Sequence, residues 1–254
     1  MIIRGSRNEV AFTKLFHDAF QTMCVRKAPT TEAGRQSKTG GTLCMFTLYS
    51  MQRSGNSYKV RLALSQLALE YRLVEIDILR GETRTPEFLA MNPSGHVPLL
   101  EVESGRHLAE SGAILWYVAG GTPLVPEDRL ARGEMLQWMF FEQHSLEPYL
   151  GAAHFWLVLI KGGRDLQVHA MEEWMERGYQ ALRVMERHLR THDFFAAGCY
   201  TIADIALYAY THVANECGYD LTGFPAVRAW LKRVAEQPGY VGMEWSPAAM
   251  EIAE

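Results

Sequence analysis

Leu48-Tyr49, Ser54-Gly55-Asn56-Ser57-Tyr58-Lys59-Val60-Arg61-Leu62, Asn92-Pro93-Ser94-Gly95-His96-Val97-Pro98-Leu99-Leu100 and Glu110-Ser111-Gly112-Ala113-Ile114 follow one another in this order within residues 46 to 121. Met45 to Ser50 is a short β-branched and aromatic run that reads as a buried strand. Ser54 to Asn56 supply cap-type residues, after which Val60, Ala63, Leu64 and Leu67 recur at helical spacing. A hydroxyl at a helix start, a proline-bounded strand and an acid beside a helix cap are parts that hold a small zwitterionic ligand.

Reading outward, Tyr71 to Leu79 has strand character, and Thr83 to Met91 reads as a helix with Pro86 in its first turn. Val97 to Val102 and His107 to Ala109 form a hairpin around Glu103-Ser104-Gly105-Arg106. Glu110 to Val118 is a helix that stops at Gly120-Gly121. The order β-α-β-α-β-β-α predicts a right-handed parallel crossover in its first unit. After the proline-containing segment Thr122 to Glu127, every periodic segment is helical. Leu130 to Ile160 is interrupted near Pro148, Leu166 to Thr191 is a second long helix, and Phe224 to Glu236 a further one. Thr201-Ile202-Ala203-Asp204 resembles a capping box, with Asp at the third position. The expected organisation is an extension over 1–44, a mixed α/β domain over 45–121, a linker over 122–129, an all-helical domain over 130–245 and an irregular tail.

The 254 residues are 48% hydrophobic, enough for a substantial core, and the formal charge of −4 gives no nucleic-acid footprint. No apolar run is long enough to span a membrane. Cys24, Cys44, Cys199 and Cys217 show neither C-x-x-C nor metal-ligand spacing, which points to free thiols in a reducing cytoplasm and to no metal site. Residues 1 to 44 carry seven basic side chains against three acids, and Lys27 to Thr42 is rich in Thr, Gly, Ser and Lys. This part is expected to be a disordered, dispensable extension, with Met45 as an alternative start.

These motifs resemble the cytosolic glutathione transferase superfamily over about residues 45 to 245, most clearly in Ser54-x-Asn56, Val97-Pro98, Glu110-Ser111 and Thr201-x-x-Asp204. Arg53 to Leu62 is similar to the active-site turn of zeta-class members, with Gly55-Asn56 where that class carries Ser-Cys. It also resembles the nu-class turn, which pairs a hydroxyl residue with an asparagine two places on. The resemblance implies a four-stranded thioredoxin-like first domain, an all-α second domain, a homodimer, and glutathione as co-substrate with no tightly bound cofactor. It also implies a cis bond at Val97-Pro98.

The chemistry implied is thiolate attack. A free thiol has a pKa of about 8.5, and lowering it by about two takes roughly 2.7 kcal/mol of preferential thiolate stabilisation. Ser54 can donate its hydroxyl to the sulfur, Asn56 its amide, and the helix start adds its positive end. Plain helix capping would use the same residues, and Ser57 is a competing donor. Pro98 interrupts a strand ladder and frees the Val97 main chain for an extended peptide. His96 sits where relatives place a basic group near the glycine carboxylate of glutathione; a solvated loop histidine is the alternative. Glu110 and Ser111 suit the ammonium and carboxylate of a γ-glutamyl head. Phe141, His144 and Tyr149 are candidates for the electrophile pocket, within a cluster that includes Trp138, Phe155 and Trp156; core packing would use the same side chains.

The expected activity is conjugation of glutathione to a hydrophobic electrophile. The alternatives are glutathione-dependent disulfide or peroxide reduction of the nu-class kind, and a non-catalytic binding protein of the same fold.

Overall fold

The computed structural model of the protein describes residues 46–103 and 105–247. The expectations for residues 1–44, for Met45 and for the end of the tail lie outside the described residues.

The first domain opens with β1 (Phe46–Ser50), α1 (Gly55–Gln66) and β2 (Tyr71–Glu75). It continues through α2 (Pro86–Met91), β3 (Leu99–Glu103), β4 (Arg106–Ala109) and α3 (Ser111–Ala119). The four strands lie in the order β2-β1-β3-β4. β1 pairs parallel with β2 from Phe46↔Tyr71 to Ser50↔Glu75, and antiparallel with β3 at Leu48↔Leu100. The sheet is therefore the mixed one expected.

Three boundaries of the first domain differ from the sequence reading by two residues or more: the helix expected over Thr83 to Met91 is a 3₁₀ turn, Glu82–Arg84, followed by α2, which begins only at Pro86. β2 stops at Glu75, because Asp77 accepts the N–H groups of Leu79 and Arg80 and turns the chain into the 3₁₀ turn Ile78–Arg80. β3 begins only at Leu99, after a cis Val97-Pro98 bond. The short α2 starts with Pro86 at its first turn, capped by Thr85, which accepts from Phe88 N.

The second domain is helical. α4 (Arg129–Phe141) runs into a π-helical turn, Glu142–Leu146, then α5 (Glu147–His154) and a second π turn, Phe155–Leu159. Pro148 lacks an N–H, and the wide turn before it absorbs that loss without ending the helix. α6 (Gly163–Leu166) is a single turn, so the next long helix, α7, begins at Val168 and runs to Leu189. α8 (Ile202–Thr211) and α9 (Pro225–Ala235) complete the domain.

α8 is buried along its whole length, and its capping box is present. Asp204 accepts from Thr201 N at 2.9 Å, Phe195 N at 3.2 Å and Trp230 Nε1 at 2.9 Å. Burial pushes its carboxyl up to about 6 against those donated bonds.

α1 lies between the sheet and the second domain, packed on α3 and α8. From Gly55 to Leu64 every residue of it but Asn56 is buried, including the charged Lys59 and Arg61. Buried charges require partners. Arg61 donates to Ser50 Oγ at 2.9 Å, Gln52 O at 2.6 Å and Met243 O at 2.9 Å. Tyr58 donates its hydroxyl to Val241 O at 2.7 Å, and Arg53 pairs with Glu216 and Glu244. Residues 238–247 are irregular, yet they are bound to α1 and to the turn before it.

Candidate active site

The turn 51–54 delivers Ser54 to the head of α1. Its φ and ψ of −75° and 120° are extended, and its Oγ accepts the Ser57 N–H at 3.2 Å. That bond uses a lone pair and leaves the hydroxyl hydrogen free to donate. Ser57 is fully buried, and its own Oγ accepts the Met51 N–H at 3.3 Å, so its oxygen braces the turn.

Ser54 and Asn56 line a cleft of about 760 Å³ together with His96, Val97, Glu110 and Ser111. The structure thus brings six sequence candidates to one cavity. Arg84, Thr83 and Asn92 join them from the α2 region, and Glu147, Pro148, Ala152, Phe155, Trp156 and Tyr210 from the second domain.

The loop that carries His96 and Val97 is shaped by buried Asn92. Its amide donates to His96 O at 2.9 Å and its Oδ1 accepts Ser94 N at 3.2 Å. Gly95 is required there: its φ is +63°, and a Cβ would stand 2.3 Å from Arg84 Nη1. Val97 precedes the first paired residue of β3 and lines the cleft.

Glu110 occupies the cap position of α3 with φ 69° and ψ 116°, a backbone state that costs a non-glycine residue about 1–3 kcal/mol. Ser111, expected as the cap, is instead the first helical residue. Its hydroxyl lies 3.3 Å from Asn56 Oδ1 and donates to it, so an anion at this helix start would meet the backbone N–H groups.

The Asn56 amide is held on both sides. Oδ1 accepts from Lys59 Nζ at 2.7 Å, and Nδ2 donates to Glu147 Oε1 at 3.2 Å. An ammonium has only hydrogens to give and a carboxylate only lone pairs, so the amide orientation is fixed by chemistry. Lys59 Nζ also donates to Glu142 Oε1 at 2.8 Å, and both side chains of that pair are almost wholly buried. Burial raises the Glu142 carboxyl above its ordinary range, opposed by the Lys59 charge. Burial likewise holds the Tyr210 phenol well above its usual value, with Glu147 adding to it. Tyr210 is therefore neutral and available only as a hydroxyl.

Phe141, His144 and Tyr149 do not reach this cleft. They line a separate depression of about 270 Å³ with Ser145, Arg177, Gln180, Ala181 and Val184. The reason is helical phase: Gln143, Glu147, Gly151 and Phe155 recur every four residues on the face toward Ser54, and Tyr149 is two residues out of that register. Of the aromatic cluster, Phe155 and Trp156 line the cleft, while Trp138 packs against Phe141 and Phe195.

Lys59, Glu142, Glu147 and Arg84 were not singled out by sequence. A lysine within an apolar helix was the available signal for Lys59; its partner, 83 residues away, left none.

Among the described residues no group of three or more metal-ligating side chains is assembled, and no helix is long and apolar enough to cross a membrane. Cys199 and Cys217 are free thiols, and neither lines the cleft.

The description "Glutathione S-transferase, N-terminal domain" matches residues 45–120, and "Glutathione S-transferase, C-terminal domain" matches residues 168–233. A solved structure of a possible glutathione S-transferase from Rhodopseudomonas palustris is 68% identical with a TM-score of 0.79, covering 80% of this chain and 91% of its own. The disulfide-bond oxidoreductase YfcG of Escherichia coli is 30% identical over 190 residues, which is 72% of this chain and 87% of that protein. The glutathione transferase URE2P8 from Phanerochaete chrysosporium, solved with oxidized glutathione, is 26% identical with a TM-score of 0.69, covering 79% and 93% of the two chains. With both domain descriptions matched and such similarity spread across both domains, the chain belongs to the glutathione S-transferase family.

Proposed function

We propose that the cleft binds glutathione with its sulfur against Ser54 and Asn56, activates it as a thiolate and transfers it to an acceptor held by the second domain. The observation that carries this reading is the Ser54 hydroxyl: its oxygen already accepts from Ser57 N, so its hydrogen is available to an anion at the head of α1. One charge-assisted bond of about 1.5–3 kcal/mol is of the size needed. The helix start and Asn56 Nδ2 act in the same direction.

The ends of the tripeptide have matching groups. Glu110 pairs the γ-glutamyl ammonium, the first N–H groups of α3 receive its carboxylate, the Val97 main chain pairs the peptide, and His96 and Arg84 face the glycine carboxylate. Conjugation then forms a carbon–sulfur bond. The leaving group departs with its electron pair, and the thiol proton goes to solvent. Pro148, Ala152, Phe155 and Trp156 form the apolar part of the acceptor wall.

A second reading is supported by the polar part of that wall, Gln143 and Glu147, and by the likeness to YfcG. Here the thiolate attacks a polar disulfide. The old sulfur–sulfur bond breaks, a mixed disulfide forms, and the departing thiolate takes up a proton. A homodimer belongs to the same proposal, supported by the exposed Tyr117, Leu130 and Phe140.

The test is titration of the thiolate of bound glutathione by ultraviolet absorbance, followed by assays with an aryl halide and with a mixed disulfide of glutathione. A midpoint below that of free glutathione supports thiolate activation, and the two assays divide the readings. An unshifted midpoint with neither product formed would leave a binding protein.

A further inference from the structure

Asn56 is the one residue of the first turn of α1 that touches charged groups on both domains. Lys59, one turn further along α1, places its ammonium 2.7 Å from Asn56 Oδ1 and 2.8 Å from Glu142 Oε1. The Tyr210 ring lies 5.6 Å from the same ammonium. Ser111 adds a second donor to Asn56 Oδ1 at 3.3 Å, and Glu147 accepts from Nδ2 at 3.2 Å. Every partner on the oxygen side donates and the partner on the nitrogen side accepts. The second hydrogen of Nδ2 remains for the cleft.

A buried ion pair is an expensive way to stabilise a domain contact, since an apolar pair of similar volume often does as well. This pair has a second consequence. With Lys59 absent, only the longer bonds from Ser111 and to Glu147, at 3.3 and 3.2 Å, would hold the amide, and a rotation would present its oxygen to the sulfur, where it would repel a thiolate.

We propose that Lys59, held by Glu142, is a positioning residue that locks the Asn56 amide with its N–H toward the glutathione sulfur, so that the second domain sets the activity of the first. The inference rests on the thiolate reading above. The step it supports is loss of the thiol proton to solvent, with the resulting anion receiving hydrogen bonds from Ser54 and Asn56.

The other charged or titratable groups facing Asn56 or lining the cleft are Glu147, Tyr210, Arg84, His96 and Glu110. They are kept intact in the test, so that a change in the midpoint reports the pair.

The experiment replaces both partners, Lys59→Met with Glu142→Leu, which avoids leaving either charge buried alone. In the otherwise native chain this should raise the pH midpoint of bound-thiolate formation by about one unit and lower kcat roughly tenfold, with glutathione KM changed less than about threefold. In an Asn56→Ala background the same replacement should add nothing to the midpoint, because its route of action is gone. A shift of equal size in both backgrounds, or none in either, overturns the proposal.

Asn56→Asp supplies an independent measurement, since Lys59 can still pair with the new carboxylate. A locked orientation puts its second oxygen beside Glu147 and the sulfur, so the midpoint should rise beyond that of Asn56→Ala. Equal midpoints for the two variants would also overturn it. Should native protein leave the thiol of bound glutathione unshifted, the thiolate reading itself fails, and the inference with it.

Discussion

Gly55 lies against the ring of Tyr210: a Cβ built on the glycine would stand 2.5 Å from Tyr210 Cε1. The head of α1 and the end of α8 are therefore in direct contact across the two domains. Gly55→Ala should force the ring or the turn to move, at about 1–3 kcal/mol of stability, as overpacking does in dense interiors. Chemical denaturation should detect it. Tyr210→Phe should not relieve the strain, because the nearest atoms are ring carbons, whereas Tyr210→Leu should relieve most of it.

Ser54 has two tasks that substitutions can separate. Ser54→Ala should lower turnover roughly 10–100-fold, as removal of a donor aimed at developing charge does, with little change in glutathione affinity. It should also cost about 1 kcal/mol of stability, because the Ser57 N–H loses its acceptor. Ser54→Thr keeps both functions and should approach native rates. An unchanged rate in Ser54→Ala would move the role to Asn56.

Asp204→Ala shows how much the tertiary contacts add to a local cap. As a capping box alone it would cost about 1–2 kcal/mol. Yet the carboxylate also accepts from Phe195 N and Trp230 Nε1. Removing it strands several buried donors at about 1–3 kcal/mol each, so the loss should exceed 3 kcal/mol. Equilibrium unfolding against Trp230→Phe should show strong non-additivity in the double variant.

His154 makes stability depend on pH. Burial, aided by the Arg53 charge, lowers it to about 4 from the ordinary 6.5, and its Nε2 has no partner among the described residues. The unfolded chain binds this proton more readily. The stabilisation is full above about pH 6.5 and is lost as pH falls toward 4, amounting to about 3 kcal/mol over that span. Asp204, raised to about 6, acts in the opposite sense over an overlapping range. The check is therefore a difference: His154→Phe should flatten the loss of Tm between pH 6.5 and pH 4 relative to native protein. Parallel curves would refute the assignment.

The strands, the helices and their order are written locally. β1, the cap at Ser54, the proline at position 86 and the box at Thr201 each depend on neighbours within a few residues, and all of them stand in the structure where sequence put them. The six residues Ser54, Asn56, His96, Val97, Glu110 and Ser111 were legible for the same reason, since each belongs to a short motif at an element end. Packing settled the rest. Whether Tyr149 or Phe155 faces the cleft depends on the phase of a helix containing two π turns, which no periodicity of side chains fixes in advance. The partners of Lys59, Arg61 and Asp204 lie 83, 182 and 26 residues away, and buried charge finds its counter-group only when the chain has folded. Local motifs named candidates that meet in one cleft, and long-range burial of charge gave the Asn56 amide its orientation.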